Sequence, residues 1–198
     1  MASTSRESQQ WGRLLPESFY ARKSVEVAHD VLGKILVHRE CAGRVVEVEA
    51  YLGRDDLAAH AAAGLTDRTR VLFGPPGRAY VYLSYGIHEC LNLVAEPDGV
   101  PGCVLIRAVE PVAGLDEMRA RRPAAKRDED LCSGPGKLTR AMGITRELNG
   151  ARLTGPLSVH APRRAVRFEM ATGTRIGITK CADWPLRFWV KGNPFVSR

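Results

Sequence analysis

The stretch Val45 to His60, VVEVEAYLGRDDLAAH, decides how this chain is read. If Val45 to Leu52 is a strand, its period of two puts Val46, Val48, Ala50 and Leu52 on one face and Val45, Glu47, Glu49 and Tyr51 on the other. One face is then core, and the other carries two carboxylates and an aromatic ring. A carboxylate held on a rigid strand beside a ring, with His60 arriving from the next loop, can activate water next to a flat substrate. The same pattern also suits an antiparallel strand whose glutamates face water, so this stretch alone leaves both readings open.

Upstream, the apolar spacing in SVEVAHDVLGKILVHRE predicts a helix over Ser24–Leu32 ended by Gly33. A strand over Lys34–Arg39 should follow and pair with Arg44–Leu52 through a Cys41-Ala42-Gly43 turn. Residues 1–15 are polar and aperiodic and read as a disordered tail, with Arg6 and Arg13 available to an anionic partner; the folded domain is expected over 16–198.

Downstream, Gly74-Pro75-Pro76-Gly77 is turn chemistry leading into a hairpin of Ala79–Ser84 and Ile87–Val94. Tyr80 and Tyr82 share a strand face. Tyr85 falls at the bend beside Gly86, where a core residue is not expected. A large ring at a hairpin tip can fill the gap left when a base is pushed out of a nucleic-acid stack, and it can equally be an ordinary exposed turn residue. Residues 102–110 form a further strand in which Arg107, inside an apolar run, needs a carboxylate partner; Glu49 is the candidate. The segment 117–130, EMRARRPAAKRDED, is a solvated, charge-dense face.

In 131–144, LCSGPGKLTRAMGI, the Ser133–Lys137 turn opens onto a helix over Leu138–Met142. It offers N–H groups, a positive helix end and Lys137 to an anion. It lacks the spacing of a nucleotide-binding GxxxxGK[ST] loop, so a phosphodiester contact fits better. The last third reads as short strands, LSVHA (157–161), AVRFEM (165–170), RIGIT (175–179) and LRFWVKG (186–192), with Trp184, Phe188 and Trp189 in core or rim packing.

At 198 residues with no composition break, one domain is expected. The formal charge of +7 and pI near 9.4 favour a polyanionic partner, because a basic surface releases counterions on nucleic acid. Cys41, Cys90, Cys103, Cys132 and Cys181 are scattered, without CxxC spacing. They read as reduced thiols of a cytoplasmic protein and give no zinc site, so no metal is expected. No apolar run reaches bilayer length, and MASTSRESQQ lacks the apolar region of a secretion signal.

Taken in order, VEVEAYLGRDDLAAH, FGPPGRAYVYLSYGIHECLNLV, CVLIRAVEP, LCSGPGKLTRAMGI, RIGI and LRFWVKGNPFVS resemble the alkyladenine (3-methyladenine) DNA glycosylases of the AAG/MPG type, bacterial members included, from about Leu15 to Arg198. The resemblance implies an α+β fold in a single domain: a curved, mostly antiparallel sheet with a protruding β-hairpin and packed helices. It implies that Glu49 is the general base toward water and Arg107 helps hold that water, near a backbone carbonyl just before Gly177. By the same resemblance, Tyr51, His60 and Tyr82 enclose a flipped base, Asn92 opposes guanine's exocyclic amine, and Tyr85 enters the minor groove. Lys137, Ser133, Arg68 and Tyr80 would meet the DNA backbone. The implied activity is hydrolysis of the N-glycosidic bond of alkylated purines in duplex DNA, by a monomer that needs no cofactor. The chain departs from the family pattern at Leu65 and Asp67, where relatives carry Arg and Pro, and at Glu89, usually aromatic, whose charge near the groove opposes DNA binding.

The alternative is a non-catalytic nucleic-acid binder with the same basic surface and wedge. A sugar glycosidase using Glu47 and Glu49 fits poorly, because i and i+2 on one strand face lie on the same side of a bond that this mechanism must flank.

Overall fold

A computed structural model of the chain describes residues 10–197. In chain order its elements are β1 (Arg13–Leu14), α1 (Glu17–Tyr20), α2 (Ser24–Val31), β2 (Ile35–His38), β3 (Cys41–Tyr51), β4 (Ala79–Ser84), β5 (His88–Val94), β6 (Cys103–Ala113), α3 (Leu115–Arg121), α4 (Pro135–Met142), β7 (Leu157–Ala161), β8 (Met170–Gly173) and β9 (Arg187–Val190). Short 3-10 turns, among them His60–Ala63 and Arg70–Phe73, fill the long β3–β4 connection.

The strands form one antiparallel sheet in the order β1-β7-β2-β3-β6-β5-β4, and β9 joins β3 at Glu47–Glu49 and carries β8 on its far side. The sheet is curled, and α2, α3 and α4 bury Val27, Val31, Met118, Leu138 and Met142 against one face. This is the expected α+β domain with a projecting hairpin.

β3 positions the site, and it does so through two bulges. Val45 pairs with Val109 but Glu47 with Ala108, so Val46 is an extra residue in β3. Glu47 to Val48 then spans Ala108 to Ile106, so Arg107 is an extra residue in β6. A bulge re-aims the side chains on either side of it. Here it breaks the expected alternation: Val45, not Val46, joins Val48 and Ala50 in the core beneath the helices, while Glu47, Glu49 and Tyr51 keep the opposite face. Leu52 lies beyond the strand and is 38% exposed, so it is not a core residue. Both glutamates are 0% exposed, which removes the solvated-strand reading. An ionised carboxylate at that depth costs several kcal/mol unless it is paired and hydrogen-bonded.

Other expectations shift at their edges. The β2–β3 turn is Arg39-Glu40, with Arg39 at φ 54°, and Cys41-Ala42-Gly43 are strand residues paired with β2. Residues 13–15, expected in a disordered tail, are ordered: Arg13–Leu14 pairs with β7 and Leu15 is 3% exposed, an apolar anchor the polar composition concealed. Residues 1–9, with Arg6, and Arg198 lie outside the described residues. α4 begins three residues before Leu138 because Pro135, with its fixed φ, starts the helix. Of AVRFEM only Met170 is in a strand, the arginine-bearing residues before it being exposed. RIGIT is not a strand: Gly177 has φ 76° and Arg175 turns into the interior.

Candidate active site

Sheet register sets one row of side chains. Tyr80 on β4 lies opposite Asn92 on β5, Asn92 opposite Leu105 on β6, Leu105 opposite Glu49 on β3, and Glu49 opposite Arg187 on β9. Tyr51 pairs with Cys103 in the next row, and Tyr82 with Cys90 on the other side. β3 and β4 are three strands apart, roughly 14 Å in a flat sheet. The curl brings Tyr51 and Tyr82 to line one cavity of about 690 Å³, within the usual range for ligand clefts.

At the back of this cavity is a charged cluster. Arg107 is 7% exposed and forks between two acids, with Nε 3.0 Å from Glu47 Oε1 and Nη1 3.1 Å from Glu49 Oε1. Glu49 Oε1 also accepts the Ile176 N–H at 2.8 Å, and its Oε2 accepts the Tyr51 hydroxyl at 2.9 Å. Glu47 is held by Arg187 at 3.2 Å, by the Ser197 N–H at 2.7 Å and by the Ser197 hydroxyl at 2.9 Å. Burial raises the Glu49 pKa above the ordinary carboxylate value; Arg107, the Ile176 N–H and the Tyr51 hydroxyl pull it back, and Glu47 pushes it up. Glu49 does not itself line the cavity; Tyr51, Arg107 and Ile176, which hold its oxygens, do. Among the described residues Oε2 accepts only the tyrosine, so it keeps a lone pair for a proton.

The opposite wall is aromatic. His60 stands edge-on to Tyr82 with centroids 4.5 Å apart, and Tyr80 and Tyr82 are 5.4 Å apart at 31°. His60 Nδ1 is 2.9 Å from the Tyr80 hydroxyl, and Nε2 is 3.2 Å from Arg68 Nη2. Arginine only donates, so Nε2 accepts and the proton sits on Nδ1. Burial, then Arg68, lowers the His60 pKa to about 4, leaving a neutral imidazole. Asn92 is 2% exposed; its amide donates to the Tyr80 carbonyl at 3.2 Å and its Oδ1 accepts the Cys103 thiol at 3.7 Å, which fixes its orientation.

The hairpin tip stands above the cavity, with Tyr85 85% exposed and Gly86 beside it, and both line its mouth. Tyr85 and Gly86 have φ of 49° and 71°, and the Ile87 N–H bonds the Ser84 carbonyl at 3.0 Å, which closes a tight turn. A left-handed conformation costs a tyrosine roughly 1–2 kcal/mol, so the tip is built at the expense of stability.

The family model of methylpurine-DNA glycosylases matches residues 18–194. The chain belongs to the methylpurine-DNA glycosylase family. It is therefore a DNA glycosylase. A Methanoculleus marisnigri protein named "Putative 3-methyladenine DNA glycosylase" is 54% identical over 191 residues, covering 93% of this chain and 98% of that one. Proteins with the same name from Rhodopseudomonas palustris and Bradyrhizobium diazoefficiens are 50% and 48% identical, covering 94% and 100% of this chain and 89% and 98% of their own lengths.

Within this glycosylase fold Arg107, Tyr51, His60, Tyr82, Asn92 and Tyr85 line one cavity and its mouth, and Glu49 lies behind that lining, bonded to Arg107 and Tyr51. Three residues expected at the DNA backbone have the following neighbours within the protein. Tyr80 is 2% exposed with its hydroxyl on His60, so it is pocket wall and does not reach a phosphate. Arg68 is exposed but folds over the Tyr82 ring at 5.3 Å, at the cavity wall. Ser133 is buried, its hydroxyl 3.5 Å from Lys137 Nζ, so Lys137 is the exposed group of that turn. Ile176 meets Glu49 through its N–H. Glu89 is paired with Arg146 at 2.9 Å, which offsets the charge that the sequence set against DNA; Asp67 is likewise paired, with Arg70 at 2.8 Å. The sequence reading missed the ties of Glu47 to Arg187 and Ser197, and a buried Asp56–Arg175 pair. The signal available for that pair was an arginine beside an isoleucine in a segment otherwise reading as a strand.

Proposed function

We propose that the protein is a monofunctional DNA glycosylase that flips alkylated purines, among them 3-methyladenine and 7-methylguanine, out of duplex DNA and hydrolyses the N-glycosidic bond. The observation that carries this reading is Glu49, a buried acid held by three donors behind a ring-lined cavity whose mouth lies under an exposed tyrosine. Tyr85 occupies the vacated stack, which offsets part of the few kcal/mol of unstacking. The flipped purine stacks between Tyr51 and Tyr82, and an N3- or N7-alkylated base, being cationic, gains about 0.5–2 kcal/mol of cation–π attraction over a neutral one. Neutral His60 adds no opposing charge.

In the chemical step a water oxygen forms a bond to C1′ of the sugar while the C1′–N bond breaks and its electron pair goes to the purine. The cationic lesion leaves neutral; the water's proton passes to Glu49, and Arg107 balances the charge at the acid. The product is an abasic site. Among the described residues no lysine lines the cavity, which supports hydrolysis without a Schiff base and so without strand cleavage. Lys137 and the start of α4, beside the hairpin, serve the DNA backbone. The protein acts as a cytoplasmic monomer. A non-catalytic binder has no use for a desolvated acid held by three donors.

The test is release of free base from duplexes carrying 3-methyladenine, 7-methylguanine or hypoxanthine. Release of the first two with intact phosphodiester strands supports the reading. Tight lesion binding with no base released from any of them returns the binder.

A further inference from the structure

Behind Tyr51 lies an ion pair that the chemistry above does not use. The side chains of Asp56 and Arg175 are both 0% exposed. Arg175 Nη2 donates to Asp56 Oδ1 at 2.8 Å, and Nη1 donates to Oδ2 and, at 3.1 Å, to the Ala50 carbonyl. Asp56 also accepts the Leu52 N–H at 3.2 Å and the Ala58 N–H at 3.1 Å. The guanidinium lies 4.6 Å from the centroid of the Tyr51 ring. Arg175 Nε is buried without a hydrogen-bond partner among the described residues.

Such a pair is a poor device for stability, because well-packed apolar groups of the same volume usually serve as well or better. Its position explains it differently. Of the three donors on Glu49, one is the hydroxyl of the ring that Arg175 stacks against, and another is the N–H of the residue next to Arg175. Through the Ala58 N–H the same pair ties down the loop that delivers His60. We propose that Arg175 and Asp56 are positioning residues of the glycosylase reaction: they hold Tyr51 and the Ile176 N–H on Glu49 in the geometry in which that acid accepts a proton. This rests on the reading of Glu49 as the base.

The groups facing Glu49 are Glu47 and Tyr51 on its own strand, Arg107 from β6, the 175–176 segment, and Arg187 from β9 by way of Glu47. With the pair removed, Glu47, Arg107 and Arg187 stay, but the Tyr51 hydroxyl and the Ile176 N–H lose their fixed aim. Hydrogen bonds to the charged form of an acid favour that form, so their loosening makes Glu49 easier to protonate.

The experiment is a single-turnover pH–rate profile on a 3-methyladenine duplex, normalised to the fraction of enzyme competent to bind that duplex. Arg175→Ala strands a buried acid and risks the fold, so the main variant is the double Asp56→Asn/Arg175→Gln, which keeps a neutral hydrogen-bonding pair. The expected result is an acid-side limb moved up by roughly one to two pH units, the loss of about one charge-assisted hydrogen bond. The plateau is expected to fall as well, by up to about a hundredfold. Arg175→Lys, which keeps the charge and the pair, should move the limb less than half as far. A merely structural role lowers the rate alike at every pH; a folded double variant whose limb coincides with that of the wild type overturns the proposal. If Glu49→Gln still excises, the reading of the base has failed. If it is inactive and the double variant's limb is unmoved, only the positioning role has failed.

Discussion

Arg107→Met removes the charge that Glu47 and Glu49 share while keeping an unbranched side chain of similar length. Three contacts go at once: Nε to Glu47 at 3.0 Å, Nη1 to Glu49 at 3.1 Å and Nη2 to the Ser197 hydroxyl at 3.3 Å. Breaking a buried pair from one side costs about 3–5 kcal/mol, because the abandoned charge stays desolvated. Glu49 keeps the Ile176 and Tyr51 donors, and Glu47 keeps Arg187 and both Ser197 groups, so the lower end, about 3 kcal/mol at neutral pH, is expected. For a chain of this size that is roughly 6–12 °C in Tm. The pH dependence carries the sign. Glu49 already has a raised pKa, and losing Arg107 raises it further. A folded state that holds its proton more tightly than the unfolded chain binds the excess proton between the two pKa values, so stability falls as pH rises through that window. The variant's deficit should therefore be small near the unfolded carboxylate pKa, about 4.3, and grow toward neutrality. Urea unfolding of both proteins at pH 5 and pH 7.5 measures it. A deficit under about 1 kcal/mol at pH 7.5, or one equal at both pH values, refutes the argument that Arg107 holds two ionised acids in the interior.

Tyr85→Gly should leave stability within about 1 kcal/mol of wild type, since a glycine removes the left-handed strain at the cost of chain entropy. Excision from duplex DNA should drop at least about tenfold while excision from a single strand, which needs no wedge, drops less; equal losses on both would remove Tyr85 from base displacement. His60 should stay neutral down to pH about 4, as followed by its ring proton resonances. Its folded pKa lies below the unfolded value, so its contribution to stability is full above about pH 6.5 and is lost as pH falls through the folded value. An ordinary titration near neutrality would show that His60 is solvated and leaves the cavity wall.

The parts of this fold that were legible in the sequence are those where a local period or a turn residue reports the backbone directly. The hairpin of Ala79–Ser84 and its partner strand and the helix from Ser24 lie within a residue of their expected bounds, and the strand carrying Arg107 begins one residue later and runs three further than expected. The β3 face was half legible. Strict alternation assigned Glu47, Glu49 and Tyr51 correctly and expected Val46 to be buried, as it is, but it put Val45 with the acids rather than in the main core, because a bulge has no signature in period two. The bulge at Arg107 was equally silent, and with its counterpart it lets that guanidinium reach both acids. Long-range ties were the least visible. Glu49 and Arg107 could be paired on chemical grounds, whereas Ser197 on Glu47 and Arg175 on Asp56 join residues 150 and 119 positions apart, with no local pattern to announce them. Tyr80 shows the limit of reading a role by position: its face was right, yet the contact that orders it is His60 rather than a phosphate.

A carboxylate at position 49 that takes a proton from water behind a base-sized cavity is tested most directly by Glu49→Gln, an isosteric change that keeps an oxygen for the Ile176 N–H and turns an amide N–H toward the Tyr51 oxygen, but cannot take the proton. On a 3-methyladenine duplex, single-turnover base release should fall by about 10²–10⁴, the usual worth of a general base, while affinity for the lesion duplex stays within about threefold. Release within tenfold of the wild-type rate at equal affinity would contradict the account at its centre.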